Sequence, residues 1–146
     1  MKNAVRSLAL ATCVVSLAGG LVVALGGAHP AQAAPCVRLS AAVFDAPGSD
    51  TTNLNGEWVR IKNYCTTAKY LSGWRIHDYG TKHTYVFPSG FKIGPGVSVT
   101  LYTGKGINTS TRRYWGRATA VWNNSPPEYA YLKDASGALV SKYTVY

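Results

Sequence analysis

The chain has 146 residues, one domain's worth at the usual ~100–200 residues per domain, and Gly 15, Tyr 10 and Trp 4 give it a strand-and-turn composition. A formal charge of +9 on only 14% charged residues, with 47% hydrophobic ones, excludes a disordered polyelectrolyte and makes a second globular domain unnecessary. The basic excess points toward anionic partners or surfaces.

Lys2 and Arg6 precede an uncharged run over 7–28, followed by Pro30 and the small-x-small triplet Ala31-Gln32-Ala33. This pattern predicts a secretory signal peptide over 1–33, cleaved after Ala33. The run is long enough to weigh as an uncleaved membrane anchor, but Gly19, Gly20, Gly26, Gly27 and Pro30 favour removal. Cys13, after Leu10-Ala11-Thr12, loosely matches a lipid-attachment box. The apolar run continues well past it, so it reads as a small residue of the leader. The expected product, 34–146, keeps all six acids and loses only Lys2 and Arg6 from the fifteen basic residues, a net +7.

Along that product, short runs rich in Val, Ile, Tyr and Thr alternate with Gly, Pro and Asn, and no long stretch has helical periodicity. Strands are expected at 37–44, 57–63, 73–78, 83–87, 97–103, 113–116, 128–133 and 139–143, an all-β two-sheet sandwich of about seven to nine strands. Turns fall at 46–56, at Tyr79-Gly80, at Gly94-Pro95-Gly96 and at 135–137. Cys36 and Cys65, the two cysteines outside the leader, are expected to form one disulfide in an oxidising compartment and to tie the N-terminal segment to the end of the second strand.

Alternation assigns faces. Val59, Ile61, Trp74, Ile76, Val97, Val99, Leu101, Ala130 and Leu132 form the core set, and the opposite positions hold Trp58, Arg60, Lys62, Arg75, His77, Tyr102, Tyr129, Tyr131 and Lys133. This mixture of cations and rings is the candidate binding surface, suited to an anionic polymer. The same residues also serve an exposed sheet that binds nothing, through cross-strand pairs that stabilise and solubilise it. Whether all nine share one sheet depends on strand order.

Catalytic signals are sparse. His77, Asp78 and His83 could gather around a hairpin, but their spacing matches no zinc pattern. Asp45, Asp50 and Asn53 lie in a loop beside Pro47 and Gly48, where ordinary turn formation explains them better than calcium. No nucleophile elbow, phosphate-binding loop or zinc-protease motif occurs, so neither an enzyme nor a cofactor or metal is expected. Asn108-Thr109-Ser110 and Asn123-Asn124-Ser125 are glycosylation sequons with little meaning in a bacterial host, which the Ala-rich leader suggests.

Three segments, Leu54-Asn55-Gly56-Glu57-Trp58-Val59-Arg60-Ile61-Lys62-Asn63, Leu71-Ser72-Gly73-Trp74-Arg75-Ile76-His77-Asp78 and His83-Thr84-Tyr85-Val86-Phe87-Pro88, are followed by Gly94-Pro95-Gly96 and Tyr102-Thr103-Gly104-Lys105-Gly106. Trp115-Gly116, Trp122-Asn123-Asn124 and Leu132-Lys133-Asp134-Ala135-Ser136-Gly137 complete the series. In order and spacing, over roughly 37–146, the chain resembles the lamin tail domain family in its secreted bacterial branch. Gly73 is read as allowing close approach beside a buried Trp74 ring, and Trp122 with its two Asn neighbours as pinning a turn. Ser125-Pro126-Pro127-Glu128 departs from the family's usual Gly-Asp turn.

The resemblance implies an immunoglobulin-like sandwich with no catalytic residue in its pattern. In similar bacterial proteins the domain stands alone or is fused to secreted hydrolases; in lamins it is a docking platform for proteins and, as a candidate, for DNA. Three functions follow as expectations. The first is a secreted, non-enzymatic module whose basic aromatic surface engages extracellular DNA or a cell-surface polyanion. The second is a protein-docking domain that positions a separate secreted hydrolase. The third, a small hydrolase or nuclease, requires His77, Asp78 and His83 to converge. No membrane span is expected after cleavage, and the sequence leaves the oligomeric state undefined.

Overall fold

A computed structural model describes residues 34–49, 51–122 and 127–145. The predicted leader 1–33, Cys13, Asp50, the Asn123-Asn124-Ser125 sequon and Pro126 lie outside the described residues.

Among the described residues ten strands alternate with turns: β1 (Val37–Val43), β2 (Trp58–Asn63), β3 (Lys69–Tyr70), β4 (Arg75–His77), β5 (Thr84–Val86), β6 (Lys92–Ile93), β7 (Ser98–Tyr102), β8 (Arg112–Tyr114), β9 (Glu128–Lys133) and β10 (Leu139–Val145). The first sheet has the order β1-β2-β7-β8, the second β10-β9-β4-β5, and β3-β6 forms a two-stranded ribbon. All pairs are antiparallel except β7 with β8. The eight strands expected from sequence form the two main sheets. Only β3 and β6, two residues each, were not expected, being too short for an alternating pattern to register.

Val59, Ile61, Val99 and Leu101 of the first sheet meet Ile76, Ala130 and Leu132 of the second, with Leu71 and Ile93 from the ribbon region. Burying aliphatic side chains of this size stabilises by roughly 1.5–3 kcal/mol each. At one end the core becomes aromatic. Phe44 meets Trp122, Trp122 meets Trp115, Trp115 meets Tyr85, Tyr85 meets Phe87 and Phe87 meets Phe91, every neighbouring centroid within 5.9 Å. Much of the aromatic content is therefore structural.

Each open side of the sandwich is fastened. Register shifts place an extra residue at Ser40 in β1 and at Val140 in β10. Beside them the Leu39 N–H donates to Ser141 Oγ at 3.2 Å, linking the two edge strands. Bulged edges of this kind resist pairing with other chains. On the opposite side Arg113 Nε donates to Tyr85 Oη at 3.0 Å, joining β8 to β5.

Two core assignments from alternation are corrected. Val97 is 37% exposed because it closes the Gly94-Pro95-Gly96 turn, where its carbonyl accepts from the Asn63 N–H, and its side chain is left outside. Trp74 is only half-buried, packed against the rim of the core. Gly73 is needed for its left-handed φ of +74° rather than for space beside a buried ring. The tryptophan that is deeply buried is Trp122, 3% exposed.

Candidate functional site

The nine candidate residues divide between opposite faces of the sandwich. Trp58, Arg60, Lys62 and Tyr102 lie on the outside of the first sheet; Arg75, His77, Tyr129, Tyr131 and Lys133 lie on the outside of the second. The expected surface is thus two surfaces.

On the first face, strand register arranges the outward positions in rows. Arg38 sits opposite Lys62, which sits opposite Ser98; Ala41, Arg60, Thr100 and Arg112 form the next row; Val43, Trp58, Tyr102 and Tyr114 form the third. Arg38, Tyr64, Arg112 and Tyr114 were missed from sequence, because Arg38 and Arg112 join the face only through pairing partners far away in the chain. The signal was present in the spacing: Arg112 and Tyr114 are two apart, as are Lys62 and Tyr64.

The cations rest on the rings. The Arg38 guanidinium lies 3.9 Å from the Tyr64 ring centre, Lys62 Nζ lies 4.9 Å from the same ring, and Arg60 lies 4.8 Å from Trp58. Arg60 Nε also donates to Thr100 Oγ1 at 3.3 Å, fixing its height above the sheet. Tyr102 and Tyr114 stack at 5.2 Å. None of the four strands carries an acidic residue. Arg38 and Lys62 are direct cross-strand neighbours, an arrangement that destabilises an isolated sheet. Contact with rings offsets part of that repulsion, at roughly 0.5–1 kcal/mol for each exposed pair.

Beyond the aromatic row, where the chain enters β2 and leaves β7, a cavity of about 530 Å³ is lined by Asn53, Asn55, Lys105 and Arg117 among others. Asn55 Nδ2 donates to the Lys105 carbonyl at 3.0 Å. A Cβ at Gly104 would stand 2.6 Å from Asn55 Oδ1, so a side chain here would displace the Asn55 amide. Arg117 Nε is buried without a hydrogen-bond partner among the described residues.

The second face has the rows Leu139, Lys133, Arg75, Val86 and Lys142, Tyr131, His77, Thr84. Lys142 Nζ lies 3.7 Å from the Tyr129 ring centre and 5.5 Å from that of Tyr131. His77 is only 6% exposed because Tyr131 stacks over its ring at 5.0 Å. It is a covered residue of this face, not a surface cation. Lys142 was not anticipated; its strand was expected, but its face was not assigned.

His77, Asp78 and His83 do come together. Asp78 accepts from the His83 N–H at 3.0 Å and pairs with His83 Nδ1 at 2.8 Å, while His77 Nδ1 contacts the Asp78 carbonyl oxygen at 2.7 Å. Both Asp78 carboxylate oxygens are therefore occupied in holding the β4–β5 turn, where Gly80 and Thr81 take positive φ. Among the described residues, no three His, Cys, Asp or Glu side chains are grouped to hold a metal ion.

Two further acids are inside. Glu57 is 2% exposed and its Oε2 accepts from the Val121 N–H at 3.2 Å; Glu128 Oε1 accepts from the Tyr129 N–H at 2.9 Å. The Cys36–Cys65 disulfide is present and joins the start of β1 to the residue pair after β2. No helix among the described residues is long and apolar enough to cross a membrane.

Two four-stranded sheets packed face to face, with the candidate side chains on their outer faces, define an immunoglobulin-like β-sandwich. The chain belongs to the lamin tail domain family, whose family model, Lamin Tail Domain, matches residues 30–146. A search of curated proteins found no match to the chain.

Proposed function

We propose that this protein is an exported, non-enzymatic binding module whose first-sheet face engages the phosphodiester backbone of a nucleic acid. The observation that carries the reading is the cation set Arg38, Arg60, Lys62 and Arg112 on a face whose strands contain no acid, with Arg38 and Lys62 held side by side. A bound phosphate relieves that like-charge repulsion. The half-buried rings of Trp58, Tyr102 and Tyr114 give exposed bases a surface for stacking, which a polyanion without bases does not use. Export rests on the 1–33 leader with cleavage after Ala33, and the disulfide supports it, since such bonds persist in oxidising compartments.

Retention of duplex DNA, single-stranded DNA and inorganic polyphosphate by the purified protein tests the reading. DNA should be held at low ionic strength and released steeply as salt rises, because each phosphate contact releases counterions. Absence of DNA retention even at low salt overturns it. Indifference to every polyanion together with co-purification of a secreted hydrolase would favour the protein-docking reading.

A further inference from the structure

We infer that the protein bridges two nucleic-acid strands, one on each outer face of the sandwich, and so cross-links the polymer rather than merely coating it. The inference rests on the reading of the first face as a nucleic-acid surface. It adds the second face as an equivalent and independent contact.

The second face repeats the features that mark the first. Arg75 and Lys133 are direct cross-strand neighbours, as Arg38 and Lys62 are on the first face. Lys142 stands over two tyrosine rings, as Arg38 and Lys62 stand over one. The only acid in these four strands, Glu128, is buried. At the end of β9 the Asp134 carboxylate is tied into its own turn by the Ser136 hydroxyl at 2.6 Å and the Ala138 N–H at 3.0 Å.

Geometry then separates the two contacts. Packed sheets stand about 10 Å apart and their outward side chains point in opposite directions. A rigid strand of nucleic acid on one face therefore cannot reach the other. Two cationic faces without that separation would make one broad site; placed back to back they make two.

The test uses duplex DNA fixed to beads, the purified protein, and a second, fluorescent duplex free in solution. The unaltered protein, shown to be a monomer by sedimentation, is expected to capture the free duplex on the beads. R38S/K62S and R75S/K133S/K142S should each still bind the beads yet capture several-fold less of the free duplex. Combining all five changes should weaken bead binding beyond either variant, with only Arg60 and Arg112 left on the first face. Circular dichroism checks that each variant is folded; on the second face Arg75 and Lys142 are exposed and Lys133 half-buried.

Capture undiminished in the second-face variant, or capture dependent on self-association of the protein, overturns bridging while leaving the first-face reading intact. A protein that binds the beads and never captures free duplex does the same. Failure to bind beads at all overturns both.

Discussion

Asn63 shows how a residue without chemistry of its own governs the site. Its side-chain amide donates to the carbonyls of Thr67, Ile93 and Gly94 at 2.9, 3.0 and 3.1 Å, and its Oδ1 accepts from the Cys65 N–H at 2.9 Å. Fully buried, it fastens the loop after β2 to the start of the β7 turn, and so positions Tyr64 under Arg38 and Lys62. Asn63→Ala strands several buried polar groups and is expected to cost about 2–4 kcal/mol in urea unfolding. A loss well under 1 kcal/mol would show that the loop holds without it. In the sequence Asn63 was legible only as the end of a strand, since its four partners lie in a loop, in the two-residue β6 and in a turn that no periodicity connects. Trp58, Arg60 and Lys62 were legible in full, because a period of two assigns faces within one strand whatever its neighbours.

At the scale of elements, β1 and β2 are held both by backbone pairing and by the Cys36–Cys65 bond across a sequence separation of 29. In the chain-entropy view, closing a loop of this length stabilises by about 3–4 kcal/mol. The C36S/C65S variant should unfold at correspondingly lower urea, while the β2–β7 register and its ring contacts persist in tyrosine and tryptophan NMR signals. An unchanged midpoint would contradict the entropic role. The β9–β10 turn carries a pH signature: the Ser136 hydroxyl, followed by the turn's backbone N–H groups, holds the Asp134 carboxyl below its ordinary value. A depressed folded-state pKa means that the stabilisation is present above the unfolded-state pKa and fades as pH falls through the folded one. Carboxyl NMR titration should therefore place the Asp134 midpoint below that of an unfolded peptide, and Ser136→Ala should raise it. Strand positions were readable from alternation and turn residues, whereas the order β1-β2-β7-β8 was not. That order follows from which apolar faces complete one another in space.

For the whole molecule, the consequence of strand order is the division of one list of basic and aromatic residues into two opposed faces. Sequence showed that cations and rings share outward positions, and the family pattern agreed with a sandwich. Neither placed Arg38 beside Lys62 or Arg112 in the row of Arg60, because those neighbours come from strands far apart in the chain. Part of the basic excess accordingly has a physical location: Arg38, Arg60, Lys62 and Arg112 on the first sheet, with Arg75, Lys133 and Lys142 on the face behind it. The same accounting explains the aromatic content, part of which fills the interior from Phe44 to Phe91 while the remainder supports cations outside.

The first face is tested most directly by the salt dependence of duplex DNA affinity, compared between the unaltered protein and R38S/K62S. Four cations, Arg38, Arg60, Lys62 and Arg112, give an expected slope of log affinity against log salt of about −3 to −4 when that face is isolated in an R75S/K133S/K142S background. Adding R38S/K62S should make the slope shallower by about two and weaken binding alike for all sequences. No affinity at low salt, or a slope unmoved by removing Arg38 and Lys62, would contradict the account.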